Sequence, residues 1–207
     1  MSRIAIISGG EYSPLRGIEE HDFVIACDRG LDYARRWGVT PDLILGDFDS
    51  FEGEVTERAE VCRLPREKDD TDTVYAVRRA LSMGAREISL YCALGGRLDH
   101  LIANLQTLGF IAENGARGHI IDENTEIFAF TKGSVRLPKR EGCSLSVLSL
   151  TDVCTGVSIE GAKYPLNKAV VRNTFPVGVS NEWKDDVTVS VETGTLMVML
   201  CKIKSND

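Results

Sequence analysis

Between Ile4 and Ile121 the sequence alternates short β-prone apolar runs with stretches of helical periodicity, and this alternation restricts the fold more than any other feature. The runs are Ile4 to Ser8, Phe23 to Cys27, Leu43 to Leu45, Val61 to Leu64, Ile88 to Cys92 and His119 to Ile121. Among them Leu98, Leu101, Ile102, Leu105, Leu108 and Ile111 recur at helical spacing, as do Val74, Val77 and Leu81 ahead of Gly84, a helix stop. Strand and helix in alternation predict a parallel sheet with helices on both faces. After Phe130 the pattern changes to Val, Thr, Ser and Leu punctuated by Gly and Pro, with alternation visible in Leu145 to Leu150 and again in Val187 to Val191. Short strands separated by turns predict a small antiparallel sandwich. We therefore expect an α/β unit over residues 1–131 and an all-β sandwich over residues 132–207, with the basic, Pro-containing segment Thr131 to Gly142 at their boundary.

Charge follows the same division. The chain of 207 residues carries a formal net charge of −7. Residues 1–130 hold 23 acidic and 14 basic side chains, and residues 131–207 hold 8 and 10, so the surplus of acid belongs to the first unit. Such a balance argues against gripping a nucleic-acid backbone, which needs a basic surface. With 43% apolar and 27% charged residues the chain is too apolar for disorder. Its apolar runs are far shorter than the roughly 20 residues that span a bilayer, and its start lacks a signal peptide's apolar segment. A cytoplasmic protein without membrane contact is expected, its six scattered cysteines reduced.

In open parallel sheets, ligands bind at the carboxyl ends of the strands. Four successive proposed strands are followed by Cys27-Asp28-Arg29-Gly30, by Gly46-Asp47-Phe48-Asp49-Ser50, by Pro65 to Asp72, and by Gly95-Gly96-Arg97-Leu98-Asp99-His100. Seven aspartates, at 28, 47, 49, 69, 70, 72 and 99, would converge on one sheet edge. Clustered carboxylates repel one another unless cations neutralise them. Hard oxygen ligands suit Mg²⁺, which completes its shell with water and substrate phosphates. Arg29, Arg66, Lys68 and Arg97 lie in the same motifs, where they could hold phosphate oxygens. Gly95-Gly96 would let a phosphate approach the backbone, with the helix starting near Leu98 aimed the same way.

Each motif also has a plainer explanation. Aspartates favour turns and helix N-caps, and Asp70 in particular is as good a candidate for capping the following helix as for ligation. A histidine such as His100 in an apolar helix is more often structural than catalytic. The coincidence at four strand ends is what favours a metal–polyphosphate site. The phosphate-binding P-loop, the protein-kinase motif set and the G-x-G-x-x-G dinucleotide fingerprint are absent from the sequence.

In order, Leu43-Ile44-Leu45-Gly46-Asp47-Phe48-Asp49-Ser50, Lys68-Asp69-Asp70-Thr71-Asp72, Leu94-Gly95-Gly96-Arg97-Leu98-Asp99-His100 with Asn104, and Gly178-Val179-Ser180-Asn181-Glu182 closely resemble the motifs of the thiamine pyrophosphokinase family. The resemblance implies a homodimer with active sites at its interface, and Mg²⁺-dependent transfer of a diphosphoryl group from ATP to the hydroxyl of thiamine, releasing AMP. It assigns Asp47, Asp49 and Asp72 to metal and polyphosphate, with Asp69 a further contributor, and places Arg97 and Asp99 beside the transferring group. Asp28, Gly30, Lys68, Gly95, Gly96, His100 and Asn104 fall on the nucleotide side, and Ser180 and Asn181 against thiamine. Asp72 and Asp99 both stand as candidates for the general base. Arg29 departs from the family's usual Ala-Asp-Gly-Gly, and Asp70 stands where an uncharged residue is common. Trp183 could stack on the cationic substrate, although a place in the β core or an interface suits it slightly better.

Overall fold

The computed structural model describes residues 2–46, 59–65 and 69–203. Asp47, Asp49 and Lys68 therefore lie outside the described residues, as do Arg66 and Phe48. The elements in chain order are β1 (Arg3–Ile7), a 3-10 turn (Ile18–Glu20), β2 (Phe23–Cys27), α1 (Gly30–Trp37), β3 (Leu43–Gly46), β4 (Glu60–Arg63), α2 (Asp72–Ser82), β5 (Glu87–Tyr91), α3 (Leu98–Glu113), β6 (Arg117–Ile121), β7 (Thr125–Leu137), β8 (Cys143–Ser149), β9 (Val153–Ala162), β10 (Leu166–Arg172) and β11 (Trp183–Lys202).

The strands form one sheet in the order β10-β9-β11-β7-β6-β5-β1-β2-β3-β4, with β8 attached to β11. Strands β6, β5, β1, β2, β3 and β4 run parallel, and the sheet turns antiparallel at β7. Alternation along the strands explains the helix layers. Ile4, Ile6, Ile25, Leu43, Leu45, Ile88 and Leu90 point to one face, packing on Ala76, Val77 and Ala80 of α2 and on Leu108 and Ile111 of α3. Their neighbours Ala5, Ile7, Val24 and Tyr91 point to the other, where Leu15, Ile18 and Ala34 of α1 cover them, and Leu31 seals Ala26 and Ile44. Both faces are thus buried, as a parallel sheet requires.

Helix α1 is too short for periodicity to reveal, since only Gly30, Leu31 and Ala34 are buried. Asp70 does not cap α2: Thr71 does, its Oγ1 accepting the Val74 N–H at 3.2 Å, while Asp70 pairs with Arg78 at 3.2 Å. The apolar stripe of α3 is also only partly core. Its first turns project beyond the sheet, leaving Leu98 69% and Ile102 47% exposed.

The change of texture after Phe130 falls inside β7, which is continuous through residues 131 and 132. Strand β11 pairs with β7 along most of its length, and with β9 and then β8 on the opposite edge. The ladder with β7 shifts near Gly194, whose φ of 92° and whose missing Cβ let Cys154 and Val153 pack against it, whereas the ladder with β9 shifts between Trp183 and Thr188. The second core gathers Phe128, Leu145, Val147, Val157, Ile159, Val189, Leu196 and Val198. All six cysteines are free thiols. Among the described residues no helix is long and apolar enough to cross a membrane.

One ionic cluster ties the antiparallel turn of the sheet together. The carboxylate of Glu126 on β7 lies 3.7 Å from His119 Nδ1 on β6 and 2.6 Å from Arg140 Nη1. His119 first, and then Arg140, hold this carboxyl down to about 2 against the opposing effect of burial. A carboxyl depressed in the folded state stabilises the protein above its unfolded value and ceases to as pH falls through the folded one. Replacing Glu126 with Gln is therefore expected to cost stability above pH 4.5, and the deficit should close as pH approaches 2. Paired denaturant titrations of the two proteins across that window measure it.

Candidate active site

The strand order reverses at β1: the chain steps from β1 through β2, β3 and β4, then returns to place β5 on the opposite side of β1. Loops diverge at such a switch point and leave a crevice beyond the carboxyl ends of the strands. A cleft of about 540 Å³ opens there. It is lined by Ser8 to Tyr12 after β1, Cys27 to Arg29 after β2, Thr71 to Thr73 at the start of α2, and Gly95, Gly96, Arg97, His100 and Asn104 between β5 and α3.

Of the residues singled out from sequence, the cleft brings together Asp28, Asp72, Gly95, Gly96, Arg97, His100 and Asn104. Asp28 sits in the left-handed region at φ 43°, and its N–H donates to Leu45 O at 2.9 Å. Its Oδ1 occupies the space where a Cβ on Gly46 would be. The bare Cα of Gly46 therefore lets the Asp28 carboxylate lie across the end of β3, one residue before Asp47. Asp72 is the first residue of α2, where the partial positive charge of a helix N-terminus favours a carboxylate. Beneath it the Ser8 and Thr73 hydroxyls hydrogen-bond at 3.0 Å and fasten α2 to the end of β1.

Gly95 and Gly96 both have positive φ, 71° and 68°. The close approach to the backbone expected at both is available at only one. The Glu11 carboxylate fills the space beside Gly95, whereas nothing lies within 4 Å of the corresponding point on Gly96. Asn104 is buried and donates from Nδ2 to Ala93 O at 2.7 Å, so its amide fixes the Gly95-Gly96 turn to α3. Arg97 forks onto Asp99, with Nε to Oδ1 at 3.2 Å and Nη2 to Oδ2 at 2.6 Å. That fork, with the His100 N–H at 3.0 Å, holds the Asp99 carboxyl below the usual carboxylate range. Asp99 faces Arg97 and does not line the cleft.

Gly30, Asp69, Ser180 and Asn181 are not in the cleft wall. Gly30 is buried because α1 begins over β1: a Cβ there would fall on Ile7 O, so packing of helix on strand demands the glycine. Asp69 is exposed ahead of α2. Asn181 is 3% exposed; its Oδ1 accepts the N–H groups of Tyr164 and Glu182 at 3.0 Å each, and its Nδ2 donates to Tyr164 O at 2.8 Å. These bonds hold the turn that presents Ser180, whose φ is 56°. Trp183 packs on the second core, and its buried Nε1 has no hydrogen-bond partner among the described residues.

The loop after β1 also lines the cleft, and no charged motif marks it in the sequence. Its signal was Gly9-Gly10 directly after an apolar strand. A Cβ on Gly10 would lie 2.5 Å from both Cys92 O and Leu94 O, so the loop runs tight against the end of β5. Tyr33 donates from its hydroxyl to Gly10 O at 2.8 Å, Tyr12 meets Tyr33 edge-on at 5.4 Å, and the Arg36 guanidinium stacks 3.7 Å over Tyr12. This aromatic wall closes the side of the cleft above α1.

Asp28 and Asp72 in the cleft wall offer carboxylate oxygens to a cation, while Asp47 and Asp49 lie outside the described residues. That donor chemistry fits a hard divalent ion such as Mg²⁺. Among the described residues no three ligand-type side chains converge.

Comparison with known proteins places this geometry. The family model described as thiamin pyrophosphokinase, catalytic domain, matches residues 16–117, and that described as thiamin pyrophosphokinase, vitamin B1 binding domain, matches residues 132–196. A thiamine pyrophosphokinase of Bacillus subtilis (strain 168) is 28% identical over 192 residues, covering 88% of this chain and 90% of its own. The crystal structure of thiamine pyrophosphokinase from Bacillus subtilis superposes with a TM-score of 0.87 at 25% identity, covering 97% of this chain and 99% of that one. A thiamin pyrophosphokinase family protein from Enterococcus faecalis gives 0.83 at 29% identity over 98% and 100% of the two chains. Matched in order by both family domains across most of its length, and sharing the fold from end to end, this chain belongs to the thiamine pyrophosphokinase family.

Proposed function

We propose that the cleft transfers a diphosphoryl group from ATP to the hydroxyl of thiamine, giving thiamine diphosphate and AMP. The observation that carries this reading is the convergence of Asp28, Asp72, Gly96 and Arg97 on a single crevice at the strand-order reversal. Transfer of this kind depends on positioning and on neutralising charge, with little covalent work for side chains. Asp47, Asp49 and Asp72 would hold Mg²⁺. When bound, the ion neutralises charge on the phosphate oxygens. No atom fills the space a Cβ on Gly96 would take, although its N–H donates to Glu11 Oε1 at 3.4 Å, and Arg97 lines the cleft with its fork shared with Asp99. Of the two aspartates open as general base, Asp99 has its ionised form stabilised by Arg97, which disfavours its taking up a proton.

In this reading residues 1–131 form the α/β catalytic unit and residues 132–207 a β-sandwich that binds thiamine and dimerises. Ser180 and Asn181 do not line their own chain's cleft, which supports an active site completed by a second copy. Exposed Leu98 and Ile102 at the cleft, with Phe175 69% and Val179 54% exposed around the thiamine-side motif, supply apolar surface for that contact. The enzyme would work in the cytoplasm, away from nucleic acid and membranes. Acceptor identity is tested by offering ATP, Mg²⁺ and either thiamine or a pterin alcohol. AMP should form at once with thiamine and not with the pterin; the reverse result would reassign the acceptor.

A further inference from the structure

Resting on that reading of the cleft, we infer that Arg29 binds the phosphate chain of the nucleoside triphosphate from the β2 side. Among the described residues two arginines line the cleft, Arg97 from the β5 side of β1 and Arg29 from the β2 side. Arg97 is forked onto Asp99. Arg29 forms no ion pair among the described residues, although Glu11, Asp28 and Asp72 share the cleft wall with it. A guanidinium left with its donors uncommitted in a cleft is suited to two-pronged capture of phosphate oxygens.

The local backbone supports the assignment. Arg29 is helical, with φ −56° and ψ −21°, at the N-cap position of the eight-residue α1. An L side chain is at ease there, so the position makes no demand for glycine. The Arg29 Cβ lies 3.6 Å from the point where Gly9 would carry a Cβ, so the stem of Arg29 leans on the bare backbone of the β1 loop. Arg29 therefore leaves the strand end between β1 and β2, beside Asp28, whose carboxylate lies across Gly46. Its guanidinium adds a positive group on the wall opposite Gly96 and Arg97, and the phosphate chain would be bracketed from both sides.

The test compares wild type with Arg29→Ala and Arg29→Lys, using ATP, adenosine and thiamine as probes. Loss of a charge-assisted two-pronged contact should weaken ATP binding, measured calorimetrically without thiamine, by about tenfold, and raise the KM for ATP to match. The Lys variant should recover part of that loss. Binding of adenosine, which lacks phosphate, should not change, and the KM for thiamine should stay within about twofold. Unchanged ATP binding in Arg29→Ala would overturn the assignment. So would an equal weakening of adenosine, because Arg29 would then act through the shape of the cleft. A wild-type protein that binds no ATP would instead overturn the polyphosphate reading beneath it. Thermal melts of both variants should match wild type, since Arg29 is exposed.

Discussion

Asp72→Asn is expected to lower kcat by about a thousandfold while leaving the fold intact. Asp72 lies at the first position of α2 and in the cleft wall, which it shares with Asp28. Asparagine keeps the size and most of the hydrogen bonding and removes only the charge. The helix keeps its cap, because the cap is Thr71. Two small effects on stability oppose one another. Losing an acid from a helix N-terminus costs about 0.3–1 kcal/mol, while relieving repulsion among neighbouring carboxylates gives some of this back. Steady-state kinetics with a parallel denaturant melt separate the outcomes. A variant with kcat within tenfold of wild type would remove Asp72 from the reacting centre, and one that fails to fold would make its role structural.

Gly30→Ala should have the largest effect on stability. The new methyl group would land on the carbonyl oxygen of Ile7, a backbone atom at the end of the central strand that has no freedom to withdraw. Relief requires α1 to lift from β1, opening the contacts that Leu31 and Ala34 make with Ala26, Ile44, Ala5 and Ile7. Overpacking of this severity costs about 3 kcal/mol, which for a chain of this size corresponds to about 10 °C in Tm. Because Asp28 and Arg29 directly precede Gly30, activity should fall as well. The same substitution at Gly96 meets no atom and is strained only through its φ of 68°, so it serves as the milder comparison. A Gly30→Ala protein as stable as wild type would mean that the helix start is free to move, and with it the β2 side of the cleft.

Much of the architecture was written in the first 130 residues, because burial of both sheet faces leaves strands as solid apolar runs that the eye finds easily. What escaped was set by context. Helix α1 has too few buried positions to make a periodic stripe. Thr71 and Asp70 are both good capping residues, and only the path of the chain decides between them. The break expected between Thr131 and Gly142 coincides with basic residues and Pro138, yet backbone pairing carries β7 through it, and the proline falls just after the strand ends. Leu98 and Ile102 share the spacing of core residues but extend past the edge of the sheet.

The candidate site was legible to a similar depth. Aspartates at strand ends gave Asp28 and Asp72, since parallel topology sends successive strand ends to one edge. The loop after β1 went unread because its chemistry lies in backbone geometry and in Glu11, Tyr12 and their partners, none of which forms a charged motif. Equivalence of Gly95 and Gly96 in sequence also hid their difference in space, which Glu11 creates from 84 positions away along the chain. Sequence order could not reveal that Asn181 is held by Tyr164 and Glu182, or that Arg97 and Asp99 face one another.

Which bond of ATP breaks is read by phosphorus NMR of the intact protein with ATP, Mg²⁺ and thiamine. AMP and thiamine diphosphate should appear in equal amounts, with neither orthophosphate nor pyrophosphate released. ADP with orthophosphate, or AMP accompanied by free pyrophosphate and no thiamine diphosphate, would contradict it.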